Sequence, residues 1–204
     1  MQYNEERLKK QFDFIQEIDK EKNVFRQTYL ADANRKENDA EHSWHMAVMA
    51  LLLSEYANDK IDVLRTMSMI LVHDLVEIYA GDTYAYDTAG NADKLEREQA
   101  AADRLFALLP DDQRDKMRGL WDEFEEGVTA EAKFASTMDK IQPLMLNNAS
   151  GGLSWKEHEV KASQVYNRNI KTAEGSTVLW EYADVNFIKR NIMKWLLIEY
   201  LIII

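Results

Sequence analysis

Residues 67–82 read MSMILVHDLVEIYAGD. Met67, Ile70, Leu71, Val72, Leu75, Val76 and Ile78 make an apolar run that predicts a helix over 62–79 facing a core. Asp62 precedes it as a charge suited to a helix N-terminus, and Gly81 stops it. Within the run stand His73 and Asp74, with Glu77 three residues after Asp74 and four after His73. Residues at those spacings share a helix face. Burying an ionised carboxylate alone is costly, so buried charges are paired or bind metals. A neutral imidazole beside a carboxylate suits a divalent cation, and a second nearby carboxylate suits proton transfer. The ordinary alternative is a core histidine bonded to an aspartate.

Composition sets the frame around that stretch. Two prolines and seven glycines interrupt 204 residues, and apolar residues make up 46%. Helix formers dominate, which predicts an all-α protein with one core. No repeat, low-complexity tract or linker divides the chain, so a single domain over 1–204 is expected. A net charge of −11 repels nucleic-acid backbones and anionic membranes. The absence of cysteine excludes disulfides and thiolate sites. No apolar run is long enough to span a bilayer, and without a signal-peptide pattern the expectation is a cytoplasmic protein. The ending WLLIEYLIII (195–204) is apolar but short, and it predicts a packed terminal helix or the seam of a homodimer.

Upstream, Leu8, Phe12, Ile15 and Ile18 predict an amphipathic helix over 4–20. Residues 21–37 lose that periodicity and read as a long loop, which in a compact domain is often functional. It carries Arg26 and Arg35, and arginine suits bidentate phosphate binding, although a solvated loop arginine is the commoner case. Asn38 or Asp39 caps a helix over 39–57. His42 and His45 lie near its start, and either could be a ligand.

Downstream, residues 80–92 read as a loop that borders a pocket. A helix over 93–109 turns Leu95, Ala102, Leu105 and Leu109 inward and leaves KLEREQ solvated. A further helix spans 111–126. Thr129 caps another in which Asp139 falls among Phe134, Ala135, Met138 and Ile141, with Pro143 predicted to kink it. After Gly151–Gly152, one helix runs to about residue 172. A terminal helix from Ser176 carries Trp180, Tyr182, Val185, Ile188, Ile192 and Trp195.

A histidine on one helix, a His-Asp pair on the next and a later inward aspartate make four N/O ligands. A divalent metal held by them lowers the pKa of water and polarises a phosphoryl group. Ligands this far apart in sequence meet only in a packed helical bundle.

In the segments RKENDAEHSWHMAVMA (35–50), HDLVEIYAGD (73–82) and MDK (138–140) the chain resembles the HD-domain phosphohydrolases, and most closely the branch of bacterial 5'-deoxynucleotidases. The resemblance covers roughly residues 24–150, with C-terminal helices over 153–204 packing on that core. It implies one divalent metal on His42, His73, Asp74 and Asp139, with manganese, cobalt, zinc, iron, nickel and magnesium all compatible with such ligands. It implies hydrolysis of a nucleotide phosphomonoester, with Glu77 in proton transfer and Asp82 placed beyond the metal, toward the sugar or behind the ligands. Arg35 matches a family arginine before the first ligand. Arg26, Arg35 and Lys140 supply positive charge for the phosphate of a small nucleotide substrate. One departure is plain: the deoxynucleotidases carry Arg-Trp in the loop, whereas this chain has Arg26-Gln27-Thr28. A di- or triphosphate or signalling-nucleotide hydrolase, and a non-catalytic metal-bearing nucleotide sensor, are the competing expectations.

Overall fold

Helix-forming segments dominate the structure, a computed structural model that describes residues 4–87, 90 and 92–192. Helix α1 (Glu5–Ile18) starts at Asn4, whose side chain accepts the Arg7 N–H at 3.0 Å. The face expected to point inward does not: Leu8, Phe12 and Ile15 are exposed, and Phe14 is the residue buried.

The expected loop over 21–37 is instead a 3-10 turn (Asp19–Asn23) and an antiparallel hairpin of β1 (Phe25–Tyr29) and β2 (Lys36–Asn38). Strands this short, without apolar alternation, leave no periodic signal. The hairpin matters because β1 carries Arg26 toward the centre.

Helix α2 (Asp39–Leu53) opens with a capping box. Asn38 accepts the Glu41 N–H, and the Glu41 carboxylate accepts the Asn38 N–H. Helix α3 (Val63–His73) is capped by Asp62, which accepts the Arg65 N–H at 3.0 Å. It ends at His73, six residues before the predicted end. Leu75 N–H bonds Val72 C=O and Glu77 N–H bonds Asp74 C=O, so the chain winds more tightly before α4 (Glu77–Ala80) begins. His73, Asp74 and Glu77 therefore do not share one helix face; they converge across a break. Gly81, with φ of 76°, closes α4 in a conformation that favours glycine.

Helices α5 (Lys94–Phe106), α6 (Asp111–Glu126) and α7 (Ala130–Ala149) follow, close to their predicted bounds. On α5 the inward face is Ala102 and Leu105, with Leu109 beyond it, whereas Leu95 is 62% exposed. The single helix expected to about 172 is two, α8 (Leu153–Glu157) and α9 (Ala162–Arg168). Helix α10 (Thr177–Ala183) passes into a π turn and a 3-10 turn that bury Ala183 and Ile188 but expose Tyr182 and Val185. Residues 193–204, with Trp195 and the apolar ending expected to form a dimer seam, lie outside the described residues. No helix among the described residues is long and apolar enough to cross a membrane.

Two apolar clusters meet at α3. Ile70 packs with Met46, Phe134, Met138, Trp155 and Ile188. Met69 and Val72 pack with Phe14, Leu105, Phe106 and Trp121. Each fully buried apolar side chain contributes about 1.5–3 kcal/mol relative to exposure, so the end of α3 is held firmly from both sides. The C-terminal segment is fastened to the same core. Asn58 N–H bonds Gly175 C=O, and a Cβ on Gly175 would lie 2.3 Å from the Lys133 carbonyl oxygen.

Candidate functional site

The end of α3, the start of α2 and the middle of α7 bring His73, His42 and Asp139 together. One ligand atom from each lies within 4.8 Å of the others. His42 Nε2 is 3.3 Å from Asp139 Oδ1 and 4.0 Å from Asp74 Oδ2, and His73 Nε2 is 3.0 Å from Asp74 Oδ1. The four residues expected to be ligands are thus neighbours.

Both imidazoles are oriented from behind. His73 Nδ1 lies 2.7 Å from the Ile70 carbonyl oxygen. A carbonyl only accepts, so Nδ1 carries a hydrogen and Nε2 is the atom turned toward the aspartates. His73 Nε2 is buried and has no hydrogen-bond partner. His42 Nδ1 is 3.1 Å from Gln142 Oε1, whose amide N–H donates to Glu37 at 2.8 Å. That relay fixes the Gln142 amide and turns His42 Nε2 inward as well. Two inward Nε2 atoms and two carboxylates, each held by outer bonds, fit a divalent cation. His45 faces Gln142 at 3.3 Å rather than the ligand group, a packing position.

Charge at this point is predominantly negative. Burial and Arg26 would lower the pKa of His42, but Asp139 and Glu37 outweigh them and raise it to about 9. Burial alone would raise Asp74 and Asp139. The His73 and Arg26 charges hold Asp74 below the usual range, and bonds and charges from His42, Arg168 and Lys140 do the same for Asp139. Both stay ionised, as ligands must.

A second group of oxygens, from Asp39, Glu77 and Asp82, also lies within 4.8 Å. Burial and mutual repulsion raise all three, Asp39 to about 7, while Arg26 acts against the rise. Arg26 links the two groups: its Nη1 donates to Asp74 at 2.9 Å and to Asp39 at 3.3 Å.

Above these residues opens a cavity of about 270 Å³. His73, Asp74 and Asp139 line it, together with Glu77, Asp82, Arg26 and Lys140. Arg35 does not. It is half exposed and makes two bonds to Glu41, at 2.5 and 2.8 Å, and so braces the capping box of α2. Arg35, expected at the phosphate, stands at the surface, whereas the hairpin turns Arg26 inward to the cavity.

Three cavity residues escaped the sequence pattern. Lys94 and Glu98, in the stretch expected to be solvated, face the cavity and pair at 3.2 Å. Arg168 reaches across from α9 to Asp139 at 3.4 Å. An (i, i+4) Lys-Glu pair reads as a solvated face, and a lone helix arginine carries no signal.

Two imidazoles and two aspartates meet on a helical scaffold, a donor set that suits a divalent metal. The chain belongs to the HD domain family, which it matches over residues 18–180. It is 45% identical, at a TM-score of 0.89, to the crystal structure of a predicted metal-dependent phosphohydrolase from Magnetospirillum magnetotacticum MS-1, covering 95% of this chain and 96% of that one. It is 34% identical over 111 residues to the 5'-deoxynucleotidase HDDC2 of Xenopus laevis, covering 54% of each. Against the human 5'-deoxynucleotidase HDDC2 it is 32% identical over 114 residues, covering 56% of this chain and 54% of the other. The match thus spans about half the length of these curated relatives.

Proposed function

We propose that this chain is a metal-dependent phosphohydrolase that converts nucleoside or deoxynucleoside 5'-monophosphates to nucleoside and phosphate. The observation that carries the reading is the pair of inward Nε2 atoms, each locked by an Nδ1 bond, facing Asp74 and Asp139 beside a cavity that Arg26 and Lys140 also line. His42, His73, Asp74 and Asp139 would hold one divalent ion. When bound, that ion polarises the phosphoryl group and acidifies water.

The chain's own residues supply the rest. Arg26 reaches the cavity from β1 and neutralises phosphate oxygens through charge-assisted bonds. Lys140, which donates to Ser136 at 2.7 Å, lies 3.9 Å from Asp139 and adds positive charge on the opposite side. Glu77 is buried beside Asp74 and Asp82, and that setting holds its proton above the usual range. Held there, Glu77 can move a proton between water and the leaving sugar oxygen. Asp82 faces the sugar.

Charge bookkeeping favours a monophosphate. The cavity lining carries Arg26, Lys94, Lys140 and Arg168 against Asp74, Glu77, Asp82, Glu98, Glu125 and Asp139. Lys94 bonds Glu98, and Arg168 bonds Asp139, so little cationic charge is left for a second or third phosphate. The test is phosphate release by metal-reconstituted protein from ribo- and deoxynucleoside mono-, di- and triphosphates. Release confined to monophosphates is the expected outcome; release only from triphosphates, or from none, overturns the reading.

A further inference from the structure

Glu37 stands at the middle of β2 and is buried, at 1% exposure. A carboxylate this deep is costly unless it has partners. Its Oε2 accepts the Gln142 Nε2–H at 2.8 Å. Its Oε1 accepts no hydrogen bond. That oxygen lies 3.6 Å from Arg26 Nε and 3.6 Å from His42 Nδ1. Arg26 Nε is likewise buried and without an acceptor. Such separations are beyond a hydrogen bond but well inside the range of charge attraction.

The fold brings these groups together by register. β1 runs antiparallel to β2 with Phe25 opposite Asn38, which sets Arg26 beside Glu37. The capping box at Asn38 starts α2 directly after β2 and places His42 near the helix start. Gln142 arrives from α7 and meets both Glu37 and His42. A carboxylate accepts, so the amide presents its nitrogen to Glu37 and its oxygen to His42.

The two neighbours of Oε1 belong to the two halves of the site. His42 turns Nε2 toward Asp74 and Asp139, and Arg26 carries Nη1 to Asp39 and Asp74. A carboxylate behind a ligand imidazole orients the ring and raises its basicity. One behind a guanidinium steadies it while leaving its outer nitrogens for an anion in front. A buried charge that serves packing alone can often be exchanged for apolar groups at little cost. Glu37 instead backs an imidazole and a guanidinium at once.

We propose that Glu37 is a positioning residue shared by both halves of the site: through Gln142 and His42 it sets the affinity for the divalent cation, and through Arg26 it sets the affinity for phosphate. The inference rests on the phosphohydrolase reading above and deepens it. It makes cation binding and phosphate binding depend on one side chain that touches neither.

The experiment measures two affinities in the full chain. Manganese(II) binding is read from the free-ion electron paramagnetic resonance signal. Inorganic phosphate binding is read by calorimetry at saturating manganese. Glu37→Gln keeps the shape and an acceptor for Gln142 but removes the charge. It should weaken manganese binding by about tenfold, the lower end for residues behind metal ligands. It should weaken phosphate binding by roughly three- to tenfold, the range of one modest contact. Gln142→Leu should weaken manganese binding and leave phosphate binding at saturating manganese unchanged. In an Arg26→Ala background, Glu37→Gln should have no further effect on phosphate, because the contact it acts through is gone. A general loosening of the fold would lower phosphate affinity in that background as well, and that result overturns the Arg26 half. Unchanged manganese affinity in Glu37→Gln overturns the His42 half. An unaltered protein that binds manganese but no phosphate overturns the phosphohydrolase reading and the Arg26 half together, and the manganese series still decides the His42 half. An unaltered protein that binds no manganese overturns both the reading and the inference.

Discussion

At the level of single residues, ligation and proton transfer are separable. Asp74 touches His73, Arg26 and the space facing His42, so its loss removes a ligand and a counter-charge together. Asp74→Ala is expected to abolish both bound metal and phosphate release, read by elemental analysis beside an activity assay. Retention of a full equivalent of metal would remove Asp74 from the ligand set. Glu77 belongs to the neighbouring carboxylate group rather than to the histidine–aspartate group. Glu77→Ala is therefore expected to keep its metal while turnover at saturating substrate falls by about 10²–10⁴-fold, the usual contribution of a general acid or base. Metal loss in that variant would make Glu77 a ligand, and undiminished turnover would leave it without a chemical role.

Among the elements, the β1–β2 hairpin decides which arginine reaches the cavity. Arg26 on β1 is buried among three carboxylates, whereas Arg35 pairs with Glu41 at the surface. Arg26→Ala should weaken substrate binding by about 1.5–3 kcal/mol, the value of a charge-assisted bond. Arg35→Ala should leave KM unchanged and cost at most about 1 kcal/mol of stability, as exposed pairs do. Equal effects of the two on KM would move the phosphate contact off the hairpin. Which arginine faces inward was not legible in the sequence, because short strands without apolar alternation leave side-chain direction open. Helix α6 was legible to the residue, since Pro110 and Gly127 punctuate a clear 3.6-residue period. The convergence of His42, His73, Asp74 and Asp139 was legible as well, because histidines and aspartates inside apolar runs conflict with burial unless they meet partners. The break at Asp74 was hidden, since Leu75, Val76 and Ile78 continue the apolar pattern straight through it. Lys94, Glu98 and Arg168 were hidden for another reason: only tertiary packing distinguishes a cleft-facing charge from a solvated one.

For the molecule as a whole, so many inward carboxylates tie stability to pH. Glu21 is buried, and one of its oxygens has no partner. Burial, followed by repulsion from Asp74 and Asp39, raises its pKa to about 7. Asp39 shifts to a similar value, and His42, at about 9, extends the range. In each case the folded chain binds a proton that the unfolded chain has already released, so stability falls as pH rises. Metal-stripped protein should therefore melt at progressively lower temperature from about pH 4.5 to 9. Glu21→Gln should flatten the part of that slope below pH 7 and raise the melting temperature at pH 8 by roughly 5 °C, with little change at pH 4.5. A melting temperature that rises with pH in the stripped protein would show the buried acids to be ionised in the fold.

Helix α7 lines the cleft with Asp139, Pro143 and Asn147, and Pro143 stands midway between the other two. Proline has no N–H, so the carbonyl of Asp139 lacks the donor that the helix would otherwise provide. The kink expected from the sequence does not break the helix, which runs on through Pro143 to Ala149. The first half of the helix is anchored by the ionic cluster and the second by the apolar core. The missing bond is thus absorbed without breaking the element that joins the two ends of the cleft.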